Sequence, residues 1–545
     1  MRRAVIVLSL LIGSVALAGE GVVVSVSPPA NEVGRAILAR GGNGVDAAVA
    51  VGFALAVTWP EAGNIGGGGF MLIRPSGRDS QPVVIDYRET APAAATADLF
   101  VKKGKQPHLT VGVPGAVAGL ALAHARYGKL PWKDLLAPAI RLAEQGFVID
   151  SGLASSLNAG LARKGAFPEF RRLFARPGGG KWQAGDRLTQ PDLAATLTRI
   201  ADQGADGFYK GKTAELLVAE MKAGGGLITA ADLAGYRARV RQPLRGSYRG
   251  YEILVPPLPS GGGTVLLLML NMLENVDLAS KPRFSVDTLH LLIETMRRAY
   301  CERARHLGDS DFVQVPGELL SKPFARKLFD SIDLRQATSS DKLAPEIPLA
   351  EEKPNTTHYS VIDADGLAVS TTTTLEDSFG SRVAVPGAGF LLNNEMTDFN
   401  PAPGITTRTG QIGTAANLIA PGKRMLSSMT PTIVVKDGIP VLITGSPGGR
   451  TIINTVLCVV INVLDYRMPL EQAVAAPRLH HQWFPDRVQV ESALGKVSPD
   501  AMTGLEKRGH KVLMVGRQGD AHSIWLHPQT KTYQGVIDPR RAGHR

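Results

Sequence analysis

The stretch Pro354-Asn355-Thr356-Thr357-His358-Tyr359-Ser360-Val361-Ile362 sets a threonine hydroxyl directly before a strand-like run and after a charged connector, Glu351-Glu352-Lys353. A threonine hydroxyl is a weak nucleophile and needs a base beside it. One arrangement makes the threonine a chain terminus, so that its own α-amine is that base. This requires the Asn355–Thr356 bond to be cut. A polar connector is where a chain opens without loss of its core. Thr-Thr ahead of a strand is also ordinary β-branched strand filling, so the residues further out must decide between the two.

Downstream, four groups carry matching chemistry. Thr371-Thr372-Thr373-Thr374-Leu375-Glu376-Asp377 is a run of hydroxyls followed by acids. Asn393-Asn394-Glu395-Met396-Thr397-Asp398-Phe399 puts amides and acids together, and Ser427-Ser428 stands before Met429-Thr430-Pro431-Thr432. Thr444-Gly445-Ser446-Pro447-Gly448-Gly449-Arg450 is a small-residue turn between a strand and a helix. Successive glycines there can aim backbone N–H groups into one concavity, which suits an oxyanion. Each group also has an ordinary use in strands, caps and turns.

These groups stand in fixed order with Asn64-Ile65-Gly66-Gly67-Gly68-Gly69-Phe70, Asp86-Tyr87-Arg88-Glu89-Thr90-Ala91-Pro92, Pro259-Ser260-Gly261-Gly262-Gly263 and Ala476-Pro477-Arg478-Leu479-His480-His481-Gln482-Trp483. Together they resemble the γ-glutamyltransferase (γ-glutamyl transpeptidase) family, from about Gly21 to the C-terminus. The resemblance implies an α/β fold, the αββα sandwich of the N-terminal-nucleophile hydrolases, built by two autoprocessed fragments. Residues 19–355 would be the large subunit and 356–545 the small one, both in one compact domain. It implies Thr356 as nucleophile, Thr374 as the hydroxyl that orients it, and Gly448 and Gly449 as the oxyanion hole. Arg88, Ser427 and Ser428 match residues that hold the α-carboxylate of a γ-glutamyl group. Asp398 matches the acid on its α-amine, with Glu395 and Glu376 at neighbouring positions. The expected partners are glutathione and other γ-glutamyl compounds, with amino acids or dipeptides as acceptors. No metal or cofactor is expected.

Three positions depart from the family pattern. Glu376 stands where well-known members carry asparagine, Thr409 beside Arg408 replaces an aromatic gate in the lid segment Asn400 to Ala420, and Met425 follows Arg424 in place of proline. Two alternatives remain: a glutaryl-type β-lactam acylase of the same fold, whose pocket does not need the amine-binding acids, and a non-catalytic exported binding protein.

Composition narrows the setting. The chain has 545 residues, 44% of them hydrophobic, enough for a large core. Met1-Arg2-Arg3, the apolar run Ala4 to Val15 and Ala16-Leu17-Ala18 read as a signal peptide, residues 1–18, cut before Gly19, with an uncleaved anchor as the alternative. The expected location is therefore periplasmic or secreted. The formal charge of +11 is spread along the chain without an aromatic-interleaved basic patch, so no nucleic acid is expected as a partner. Cys301 and Cys458 lie in helix-like apolar patterns and read as small buried thiols. Gly66 to Gly69 lacks the lysine and hydroxyl of a phosphate loop, and His480-His481 lacks the spacing of a metal pair. Periodicity predicts helices over Asn43 to Val57, Val286 to Leu307 and Thr451 to Asp465. It also predicts hairpins joining His358–Ile362 to Leu367–Thr374 and Thr432–Val435 to Val441–Thr444.

Overall fold

The computed structural model describes residues 21–163, 167–344, 350–351 and 357–540. The proposed signal peptide and the Asn355–Thr356 junction lie outside them. Twelve strands build two sheets. In chain order they are β1 (Val22–Ser25), β2 (Gly68–Arg74), β3 (Val83–Asp86), β4 (Arg239–Arg241), β5 (Leu244–Tyr248), β6 (Tyr251–Val255), β7 (Thr357–Ile362), β8 (Ala368–Thr374), β9 (Thr432–Lys436), β10 (Ile439–Thr444), β11 (Ser523–Leu526) and β12 (Tyr533–Val536). One sheet has the order β1-β7-β8-β2-β3-β4 and the other β12-β11-β10-β9-β6-β5. Every pairing within the two sheets is antiparallel.

Strand alternation explains the layers. Side chains point to opposite faces with period two. Val22 and Val24, Phe70 and Leu72, Ile433 and Val435 fill the layer between the sheets. Their neighbours Val23, Met71 and Ile73 face an outer helical layer, and Val434 faces the opposite one. Helices α1 (Pro28–Ala39), α2 (Gly44–Thr58), α3 (Ala116–Tyr127) and α4 (Trp132–Gln145) cover the first sheet. Helices α5 (Gly261–Leu273), α6 (Val286–His306) and α7 (Thr451–Leu464) cover the second. The result is an αββα sandwich. Helix α2 is buried along its whole length and starts from a capping box, with Asn43 accepting from Val45 and Asp46. Among the described residues, no helix is long and apolar enough to cross a membrane. Cys301 and Cys458 sit in the core of the second helical layer.

The layer between the sheets is not uniform. On the inward faces of β7 and β8, Ile362 and Ala368 join the apolar end. His358, Ser360, Ser370, Thr372 and Thr374 follow toward the other end, all buried. A buried hydroxyl is costly unless it is hydrogen-bonded. Here the partners come from across the gap: Ser360 donates to the His522 carbonyl at 2.9 Å and Ser370 to the Thr444 carbonyl at 3.1 Å. His358 bridges Thr372 at 2.9 Å and Ser360 at 3.1 Å. Burial keeps its pKa well below the usual imidazole value, so the ring is neutral. This polar end is where the candidate site opens.

Candidate active site

The ends of β7 and β8 carry the first components. Their register pairs Thr357 with Thr373 and His358 with Thr372. Thr374 is the last residue of β8, paired with Gly68. Asn64 donates to the Thr374 carbonyl at 2.8 Å and accepts from Gly67 at 2.8 Å. The Asn64–Gly69 motif is thus a close packing of backbones under β8, with Gly66 so near the Leu391 carbonyl that a side chain would collide. The Glu376 N–H donates to Thr374 Oγ1 at 2.7 Å, and Glu376 takes a left-handed φ of 77°. A bulky non-glycine residue held there stores strain of about 1–3 kcal/mol, and such strain concentrates at functional sites.

Arg88, Glu376, Asp398, Ser427, Ser428 and Gly449 line one narrow cleft, with Met429, Arg450 and Ile452. Residues more than three hundred positions apart therefore meet as the motif order anticipated. Glu395 lies buried behind Arg88, and Gly448 adjoins Gly449 in the turn that opens α7. Both glycines have positive φ, 129° and 55°. Their carbonyls accept from Thr451 and Ile452, each at 3.1 Å, at the first turn of α7. A Cβ on Gly448 would strike Thr451 Oγ1.

The charge arrangement differs in one respect from the sequence expectation, which set Arg88 and the acids at opposite ends of a ligand. In the folded chain Arg88 is ion-paired with Glu395 and Asp398, and Glu89 lies 3.6 Å away. Carboxylate oxygens of Glu376, Glu395 and Asp398 lie within 4.8 Å of one another. Burial opposes the charge on Arg88, but Glu395, Asp398 and Glu89 outweigh it and raise its pKa. Burial pushes Glu395 up to about 7 against the pull of Arg88. Glu376 is raised well above the carboxylate range by burial, then by Asp398 and Glu395. Glu89 is raised likewise by burial and by Glu395. Four acids surround one guanidinium, and burial together with mutual repulsion holds Glu376, Glu395 and Glu89 back from full ionisation; a cation entering the cleft would offset that repulsion.

The serine wall is fixed by the Pro259–Gly263 motif. Ser427 donates its N–H to the Pro259 carbonyl at 2.8 Å and its carbonyl accepts from Gly261 at 2.9 Å. Asn417 ties the lid base to this wall, donating to the Asp398 carbonyl at 2.7 Å and accepting from Leu426 at 2.9 Å. Thr409 shares a hydrogen bond with Thr407 at 2.9 Å. Arg408 is drawn outward to Asp341 at 2.8 Å. The backbone of Gly410–Gln411 pairs with Ala350–Glu351 of the connector. Met425, the replacement for proline, is buried and accepts from Arg88 Nε at 3.3 Å.

His480 and His481 are structural. His480 bonds Asn454 at 2.6 Å and Gln482 at 2.8 Å, and His481 accepts from the Trp483 N–H at 3.1 Å. Burial drives their pKa values down to about 3 and about 4. Sequence reasoning gave no role to Tyr300 and Arg303. They lie three apart on one face of α6, and both reach the cleft wall: Tyr300 donates to the Arg450 carbonyl and Arg303 to Ser428. Their i, i+3 spacing was visible in sequence, but which wall that face meets was not.

An αββα sandwich with a hydroxyl-bearing strand end, a glycine turn and an acid-rich cleft defines an enzyme of the N-terminal-nucleophile hydrolase class. The γ-glutamyltranspeptidase family model matches residues 30–545. The chain belongs to that family. It is 44% identical over 532 residues to the glutathione hydrolase proenzyme of Escherichia coli K12, covering 96% of this chain and 91% of that one. Among solved structures, cephalosporin acylase from Bacillus halodurans superposes with a TM-score of 0.84 at 29% identity, covering 97% of this chain and 95% of that one. A chain of Helicobacter pylori γ-glutamyltranspeptidase matches with a TM-score of 0.57 at 42% identity, over 61% of this chain and 95% of its own length.

Proposed function

We propose that this protein is made as a single chain, cuts itself before Thr356, and then hydrolyses or transfers the γ-glutamyl group of glutathione and related amides outside the cytoplasm. The observation that carries the substrate assignment is the cleft itself. Its cluster of acids beside Arg88, whose mutual repulsion an incoming cation would relieve, suits the ammonium of a glutamyl head, and its paired serines suit the carboxylate of the same head.

In the maturation step, Thr356 Oγ attacks the Asn355 carbonyl, the peptide bond becomes an ester, and water cleaves the ester. The products are a carboxylate on Asn355 and a free amine on Thr356. The β7–β8 register begins with Thr357 against Thr373, so the described end of β7 lies beside the end of β8, where Thr374 stands. Residues 19–355 make up roughly three fifths of the chain, close to the share matched by the solved H. pylori chain. In turnover, the Thr356 amine takes the proton as Oγ attacks the γ-carbonyl. Backbone N–H groups of Gly448 and Gly449 hold the oxyanion. The leaving amine recovers the proton, and the γ-glutamyl ester passes to water or to an amino acid or dipeptide amine.

The lid sets the balance between these two acceptors. Thr409 and Arg408 supply less cover than an aromatic gate, because Thr409 is small and Arg408 is turned toward Asp341. We expect glutamate release from glutathione without any acceptor, at a rate within an order of magnitude of that with glycylglycine. The measurement is free glutamate while glycylglycine is titrated at fixed donor. Near-zero release without acceptor, with a steep rise on its addition, would make this an obligate transferase and end the gate argument. No glutamate under any condition would end the functional assignment.

A further inference from the structure

Behind the serine wall stands Arg303, buried on α6, with Nη2 donating to Ser428 Oγ at 3.0 Å. A serine hydroxyl has one proton and two lone pairs. With a lone pair of Ser428 engaged by the guanidinium, its O–H is left to donate, and Ser428 lines the cleft. Ser427 is set the same way, its Oγ accepting the Met429 N–H at 3.0 Å. Both hydroxyls are thereby turned into donors for an anion. Arg88 stands differently, since Glu395, Asp398 and Glu89 already absorb much of its field. Helix α6 holds this wall at two points, because Tyr300, three residues before Arg303, fixes the Arg450 carbonyl next to the glycine turn.

We propose that Arg303 is a positioning residue for the α-carboxylate of the γ-glutamyl donor. It fixes Ser428 as a hydrogen-bond donor toward that carboxylate and polarises its hydroxyl. This rests on the γ-glutamyl reading of the cleft. Charge-assisted hydrogen bonds of this kind are the stronger ones, and Arg303 acts on substrate through Ser428.

The test compares two donors, a γ-glutamyl anilide and the 4-aminobutyryl anilide that lacks only the α-carboxylate. The readout is the ratio of their kcat/KM values in wild type, Arg303→Met, Arg303→Lys, Ser428→Ala and the double variant Arg303→Met with Ser428→Ala. Cutting into two fragments reports that each variant has folded. Arg303→Met should lower the ratio about ten-fold, mainly through KM for the γ-glutamyl donor. Arg303→Lys, which keeps the charge, should retain part of it. The double variant should lose no more than Ser428→Ala alone, since residues acting through one contact are not additive. If Arg303→Met slows both donors equally, or if the two losses add, Arg303 only packs the helix and the proposal is overturned. Should Arg303→Met stay uncut, Arg303→Lys decides alone: a ratio equal to wild type overturns the proposal and a lowered one supports it. Failure of wild type to turn over the γ-glutamyl anilide overturns the parent assignment first, an outcome distinct from an unchanged ratio in an active enzyme.

Discussion

Thr356→Ala should yield a single uncut chain with activity at least about 10⁴-fold below wild type, the scale seen when an activated nucleophile is removed. Wild type should give two fragments, Gly19 to Asn355 and Thr356 to Arg545. Both losses have one cause. An amide bond does not open by itself on a useful timescale, and the hydroxyl proposed to open it is also the one proposed to attack substrate. Thr356→Ser keeps a hydroxyl and should still cut, more slowly. The fragments should stay together under native conditions. Strand β7, first after the junction, is hydrogen-bonded between β1 from the large segment and β8 from the small one, and β8 pairs in turn with β2. Separating the fragments would strip β7 and β8 from their sheet and open the core between the layers. Intact-mass measurement of purified wild type and variant decides the matter. An active wild type that remains whole at Asn355–Thr356 would refute the mechanism, whatever its substrate.

Much of the architecture was legible because its signals are local. The two hairpins and the buried helices α2, α6 and α7 fall within a residue or two of where alternation and helical periodicity put them. The inward face of β7 and β8 was harder. His358, Ser360, Ser370 and Thr372 break the apolar alternation of a core strand, because Ser360 and Ser370 donate to carbonyls of the opposite sheet and His358 links Thr372 and Ser360 within its own. No local pattern announces partners 74 and 162 residues away. The order of strands was likewise not recoverable from pattern, and resemblance supplied only the αββα layering, since alternation says which way a side chain points and not which strand lies beside it. The site residues were named by motif, but their mutual pairing was not. Arg88 and the acids read as two opposite poles of a ligand until folding set Glu395 and Asp398 against Arg88 itself. Arg303 and Tyr300 escaped because a helix face carries no mark of the wall it meets.

That pairing changes what loss of Arg88 should do. Arg88→Ala should lower kcat/KM for a γ-glutamyl anilide by about 10²–10³-fold, beyond the loss of one substrate contact. One charged contact to the substrate is worth about 1.5–3 kcal/mol, and the further loss comes from the acids left behind; removing one partner of a buried ionic group also typically costs about 3–5 kcal/mol of folding stability. Here Glu89, Glu376, Glu395 and Asp398 would share the pocket without a resident cation. Glu395, already pushed up to about 7 by burial against the pull of Arg88, would move higher still and stand neutral at pH 7. The amine end of the pocket would then lose charge as well. Asp398→Asn acts at that end alone. It keeps shape and takes away a negative charge from the ammonium, so a loss of about ten- to a hundred-fold is expected, the worth of a charged hydrogen bond of roughly 1.5–3 kcal/mol. A glutaryl anilide has no ammonium to lose, so Asp398→Asn should leave its turnover nearly unchanged and erase most of the preference for glutamyl. The same two donors separate a transferase from an acylase in wild type. If wild type turns over the glutaryl anilide faster, or if both variants keep wild-type kinetics, then the acids serve only to bury Arg88, and the cleft was not built for a zwitterionic head.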